Sequence, residues 1–267
     1  MDTAEEYWLA RALLDWHVEL GVDEAIGDAP VNRYDLPDAK PQPTRVAEPE
    51  KGRPAPPPPP VQMPEVDAPA EARKAVAGVG SLTDLAAAMA AFDLCEVKKG
   101  ARHLCFADGN PAARVMVIGE APGREEDLEG RPFVGRAGQF LDRMLAAIDL
   151  DRKATDADGA VYITNVLPWR PPSNRTPDAT EIAMMLPFLQ KHIELVDPAA
   201  IVLLGNTPLQ AVLGASGITR ARGQWAEAFG KPVLPMLHPA YLLRMPQAKR
   251  ETWADLLALK ARLRGDT

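Results

Sequence analysis

Four short aliphatic runs, at 113–119 (ARVMVIG), 161–167 (VYITNVL), 200–205 (AIVLLG) and 232–237 (PVLPML), alternate with helical patterns at 137–148, 178–195, 206–214 and 249–263. Runs rich in Val, Ile and Leu with no polar alternation read as strands buried on both faces. Strands separated by helices are joined by right-handed crossovers, so this order predicts an α/β domain with a parallel sheet and helices on both of its faces. Ligands of such sheets bind beyond the carboxyl ends of the strands. Three features fall there: the turn from Gly119 to Gly123, Asn165 and His238.

The rest of the chain has a different texture. Residues 1–28 contain an amphipathic helix over 4–20, with Trp8, Leu9, Leu13, Trp16 and Leu20 at spacings of three and four. Residues 29–79 read as an extended linker, because 13 of the 27 prolines lie between Pro30 and Pro69. The α/β domain is expected over 80–267. The net charge of −7 belongs to the extension: residues 1–79 hold 8 Lys+Arg against 15 Asp+Glu, and residues 80–267 hold 22 of each. A neutral domain can still present a basic face, so the acidity does not exclude a nucleic-acid partner. No apolar run reaches the ~20 residues needed to span a bilayer. The N-terminus opens with Asp2, Glu5 and Glu6 instead of a signal peptide, so no membrane association and a cytoplasmic location are expected. Cys95 and Cys105 are too few for a disulfide framework or a four-ligand metal site.

The stretch VMVIGEAPGREEDLEGRPFVG (115–135) ends an aliphatic run in a glycine turn, as a phosphate loop does, but lacks the G-x-G-x-x-G and Gly-Lys-Ser/Thr spacings. It also carries Glu120, Glu125, Glu126, Asp127 and Glu129, which would repel an anion. Pro122 and Gly123 instead suit a turn that presses main-chain groups of Ala121–Gly123 against a flat, uncharged ligand. Asn165 offers a donor and an acceptor side by side, as a pyrimidine edge requires. His238 stands at a strand end before a Pro-started loop in which Tyr241, Leu242 and Leu243 form a candidate wedge for parting bases. Arg244, Lys249 and Arg250 supply cations beside it.

The ordered motifs GEAPGREEDLEGRPFVGRAG, YITNVLPWRPPSNR, IVLLG, RGQW and HPAYLLR, spread over about residues 90–260, resemble those of the family 4 uracil-DNA glycosylases. The resemblance implies a three-layer α/β/α fold around a four-stranded parallel sheet. It also implies a monofunctional enzyme that removes uracil from DNA by base flipping and leaves an abasic site. In that scheme Phe133 stacks on the flipped uracil and Asn165 reads its polar edge. Glu120 and the backbone of Ala121, Pro122 and Gly123 line the pocket, Glu126 guards the space of a thymine methyl, and His238 stabilises the charge developing on the uracil oxygen. Uracil-containing DNA is accordingly the expected partner and abasic-site DNA the expected product, and a monomer is expected.

Three departures from related patterns stand out. Family members hold an iron–sulfur cluster on four cysteines, and the matching positions here are Phe92, Cys95, Trp169 and Met185, so no cofactor is expected and these side chains should pack as a small core. Where a better-known branch has a water-activating Asp, this chain has Ala121, which leaves Glu120 as the candidate to hold the water. EDLEGRPFVG runs on without the insertion that carries a trapping His in a sister branch, so no covalent capture is expected. The alternatives are a uracil- or abasic-site-binding protein with weak or lost activity, and a small-molecule enzyme on a nucleotide-binding sheet.

Overall fold

The computed structural model describes Tyr7, residues 11–14 and residues 67–265. The chain divides into two units, 1–61 and 62–267. In the first, Tyr7 and residues 11–14 are helical and exposed; the rest of the expected helix 4–20, and the Pro-rich stretch up to residue 66, lie outside the described residues.

The second unit is built on a six-stranded sheet of β1 (Asp108–Gly109), β2 (Val115–Gly119), β3 (Val161–Asn165), β4 (Ala200–Leu204), β5 (Ala226–Ala228) and β6 (Lys231–Met236), in the order β1-β3-β2-β4-β6-β5. The four aliphatic runs form its parallel centre, and β1 and β5 pair antiparallel at the two edges. The expected four-stranded parallel sheet is therefore corrected to a mixed sheet of six. Both edge strands are defined by backbone pairing alone: Asp108–Gly109 and Ala226–Ala228 contain no aliphatic run to announce them.

Nine helices accompany the sheet among the described residues: α1 (Ala68–Val76), α2 (Leu82–Ala91), α3 (Arg124–Glu129), α4 (Arg136–Ala146), α5 (Ala179–Val196), α6 (Asn206–Leu213), α7 (Ile218–Ala221), α8 (Pro239–Arg244) and α9 (Lys249–Arg264). Successive side chains of β2 point to opposite faces of the sheet. Met116 and Ile118 join one buried layer with Leu85 and Met89 of α2 and Met185 and Phe188 of α5. Val115 and Val117 join the other with Leu141 and Leu145 of α4 and Leu256 and Leu259 of α9.

Helix α1 corrects a boundary. It falls inside the stretch 29–79 read as linker, yet Ala72 is fully buried in the first layer, so the α/β unit begins before residue 80. Asp67 caps the helix by accepting from the Ala70 N–H, and Pro69 sits in the first turn, where its missing donor costs nothing.

Chain connections leave β2 toward β3 on one side and β4 toward β6 on the other, which makes the carboxyl ends of β2 and β4 the switch point of the sheet. Segments 120–123 and 205–207 diverge from it and leave a crevice between them.

Candidate active site

A cleft of about 790 Å³ opens over these carboxyl ends, walled by residues 120–123, Phe133, Asn165, Arg175, Thr207 and His238 among others. At its base Gly119, the last residue of β2, pairs in register with Asn165, the last of β3. A Cβ on Gly119 would overlap Asn165 Oδ1 and come within 2.5 Å of two ring carbons of Phe133. Glycine is what lets a carboxamide and an aromatic ring meet there.

Asn165 is 5 % exposed, and its Oδ1 is the one buried side-chain oxygen or nitrogen among the described residues with no hydrogen-bond partner. Leaving such an atom unpaired costs ~1–3 kcal/mol, so an external donor that completes it gains by about that much. Phe133 is buried beside it and holds φ at 54°, the left-handed region, which costs an L-residue ~1–2 kcal/mol. Its ring stacks on that of His238, with centroids 5.6 Å apart and planes 29° from parallel.

His238 caps α8: its Nδ1 accepts from the Ala240 N–H at 3.1 Å. The proton of the neutral ring is therefore on Nε2. Burial, helped by the nearby charge of Arg244, lowers the imidazole pKa to about 4, so the ring is a neutral donor at physiological pH. Gly205, with φ at 99°, follows β4 in a conformation that favours glycine, and a Cβ there would lie 3.5 Å from His238.

The acids of 120–129 divide into distinct roles. Glu120 lines the cleft and accepts from Thr207 Oγ1 at 2.7 Å through Oε2, a bond that spans the switch point. Glu126 Oε2 accepts from the Gly123 N–H at 3.1 Å, while Oε1 accepts from Val134 and Gly135 N–H at 3.1 and 2.9 Å. It thus caps α3 and ties the turn to the Phe133 loop at once. Asp127 is buried and accepts from the Arg102 and His103 N–H groups. Glu125 and Glu129 are exposed, and acids in the first turn of α3 suit the helix dipole.

The wedge assignment is corrected. Leu242 is completely buried in the second layer, because one side of the short helix α8 must face the core. Tyr241 and Arg244 line the cleft, Leu243 is half-buried, and Lys249 and Arg250 are exposed at the start of α9. Lys249 Nζ lies 5.0 Å from the centre of the Phe140 ring. Leu242→Ala should consequently lower unfolding stability by about 2–5 kcal/mol, with no selective loss on duplex substrates. Denaturant melts beside rates on single-stranded and paired substrates check this; a duplex-specific defect at unchanged stability would restore the wedge.

Phe92, Cys95, Trp169 and Met185 are all at most 7 % exposed and belong to the first buried layer. Phe92 meets Phe188 edge-on at 5.2 Å, and Lys98 Nζ sits 5.9 Å from the Trp169 ring centre. Burial raises the Cys95 thiol pKa, and no group of three or more His, Cys, Asp or Glu among the described residues could hold a metal ion. These positions do not fit an iron–sulfur cluster, which needs several thiolates.

The model of the uracil DNA glycosylase superfamily matches residues 106–257, which include Phe133, Asn165 and His238. The chain belongs to that superfamily. It is 38 % identical to a type-4 uracil-DNA glycosylase of Archaeoglobus fulgidus over 184 residues, covering 66 % of this chain and 89 % of the relative. With the Thermotoga maritima type-4 enzyme it shares 40 % over 153 residues, 56 % of this chain and 77 % of the relative. A type-5 uracil-DNA glycosylase of Pyrobaculum aerophilum is 35 % identical over 162 residues, covering 56 % and 71 %.

The sequence does not announce what two of the site residues do. Thr207 touches Glu120 only because α6 starts at the strand end next to β2. Gly119 looks like any turn glycine until its register with Asn165 is known.

Proposed function

We propose that the chain hydrolyses the N-glycosidic bond of deoxyuridine in DNA, with the base swung out of the helix into the cleft and an abasic site left behind, as base excision repair requires. The observation that carries this reading is the unpaired Asn165 Oδ1 beside the Phe133 ring. Uracil offers N3–H to that oxygen and O4 to the amide nitrogen of the same side chain, and its flat face suits the ring.

As the bond between C1′ and N1 breaks, uracil leaves with the electron pair and negative charge spreads onto its oxygens. A neutral His238, with its proton on Nε2, donates to O2 and stabilises that charge more strongly as it grows. Water adds to C1′ from the opposite side. Thr207 occupies Oε2 of Glu120, and no hydrogen bond within the described residues occupies Oε1, which is left to orient the water and take its proton. The fixed carboxylate of Glu126 and the turn Ala121–Gly123 form the wall where a C5 methyl would have to fit. Tyr241 and Arg244 at the rim, with Lys249 and Arg250 beyond it, face the DNA.

The test is timed release of uracil from a labelled oligonucleotide, followed by cleavage at the abasic site. Release with repeated turnover is expected. Binding of uracil-DNA without release would favour a pocket that only binds, a reading for which Ala121 in place of an acid is the specific support. Purified protein is also expected to be colourless, with unchanged thermal unfolding in a strong chelator, because Phe92, Trp169 and Met185 offer packing in place of thiolates. Visible absorbance that tracks iron and sulfide content would overturn this.

A further inference from the structure

We infer that Arg152 is a positioning residue for base recognition: it fixes the backbone of Phe133 so that the ring stands where a flipped base stacks. The inference rests on the reading of Phe133 given above. Arg152 lies between α4 and β3, and its side chain is 7 % exposed. A guanidinium has five N–H donors in a rigid fork, and here it makes four hydrogen bonds and one further close ion-pair contact. Nε donates to Asp142 Oδ1 at 2.8 Å, and Nη1 donates at 3.1 Å both to Asp108 Oδ2 and to the Pro132 carbonyl. Nη2 donates to the Phe133 carbonyl at 2.9 Å and lies 2.6 Å from Asp142 Oδ1.

Two of these acceptors are consecutive carbonyls, and one belongs to the residue whose φ is 54°. A bulky residue stays in the left-handed region only where its surroundings over-determine it. The surroundings do so from three sides. Arg152 takes the carbonyls of 132 and 133, and Glu126 takes the N–H groups of 134 and 135. Gly138 packs so closely that a Cβ on it would overlap the Phe133 carbonyl. Asp108 on β1 and Asp142 on α4 aim the guanidinium and neutralise it. Lysine, a point charge with three donors, cannot reproduce this set.

An arginine that only supports folding would alter stability and nothing else, so the test is a double-mutant cycle on the full chain. Arg152→Met and Arg152→Lys are made alone and with Phe133→Ala, and assayed where circular dichroism shows each variant folded. Single-turnover uracil release and inhibition by free uracil are the readouts. Arg152→Met should slow release roughly 10- to 100-fold and weaken uracil inhibition similarly, the scale of a lost base–aromatic stack. In the Phe133→Ala background the same change should alter release by less than about threefold, since the ring it positions is gone. Arg152→Lys should recover thermal stability but not the rate. Equal losses in both backgrounds, or a lysine that restores rate and stability together, would assign Arg152 to folding alone. If Arg152→Met does not fold, Asp142→Asn, which removes one of the aiming charges and keeps the guanidinium, replaces it in the same cycle. Normal release by Phe133→Ala alone would instead remove the stacking reading itself; an impaired Phe133→Ala with an additive cycle would remove only the role of Arg152.

Discussion

His238→Ala is expected to slow single-turnover uracil release by roughly 10²- to 10³-fold, while affinity for uracil-DNA stays within a few fold. The reason is the ring's protonation state. A donor that is neutral in the ground state gains little from a neutral carbonyl, and gains steeply as that oxygen becomes anionic. With its pKa lowered to about 4, the ring should keep this form down to mildly acidic pH, and NMR titration of the imidazole should show a midpoint near 4 and not near 6.5. The same shift has a consequence for stability with a definite sign. The unfolded chain takes up the proton near pH 6.5 and the folded chain only near 4, so stability contributed by His238 is complete above 6.5 and falls as the pH drops through that window. His192 extends the loss further down, because burial lowers its pKa to about 3 beside the Tyr162 hydroxyl, 2.8 Å away. Equal losses of affinity and rate in His238→Ala would mark the residue as structural.

The second large effect is expected from the smallest substitution. Gly119→Ala places a methyl group on Asn165 Oδ1 and within 2.5 Å of the Phe133 ring, so one or both must move from the position proposed to receive the base. Loss of the polar reading and of the stack together should slow release on the order of 10²-fold or more. Overpacking should destabilise the fold by only about 1–3 kcal/mol. Rates measured well below the melting temperature separate the two. Unchanged release would mean that Asn165 and Phe133 do not meet the substrate at this point.

Much of this site could be read from the chain because its residues stand at strand ends, and strand ends follow from hydrophobic runs. Asn165 and His238 are legible in that way as residues of the cleft, and Phe133 and Glu126 through the motif that contains them. Thr207 is not legible because it meets Glu120 only through the adjacency of β2 and β4, and Arg152 is not legible because its partners are main-chain carbonyls, which no residue type announces. Leu242 was misplaced for a local reason: the apolar run Ala240–Leu243 offers no polar face by which to tell the inner side of a short helix from the outer. Helix α1 was hidden by its own composition. It is rich in alanine, preceded by prolines, and buries little beyond Ala72.

The layer that holds Phe92, Cys95, Trp169 and Met185 bears on how the protein endures. A fold completed by a bound cofactor is stabilised by mass action, and its unfolding curve shifts with the concentration and oxidation state of what it binds. A fold completed by its own side chains has no such dependence. For this domain, iron scarcity or exposure to oxygen should leave the melting curve where it was, and the single thiol in that layer, kept protonated by burial, gives an oxidant little thiolate to attack.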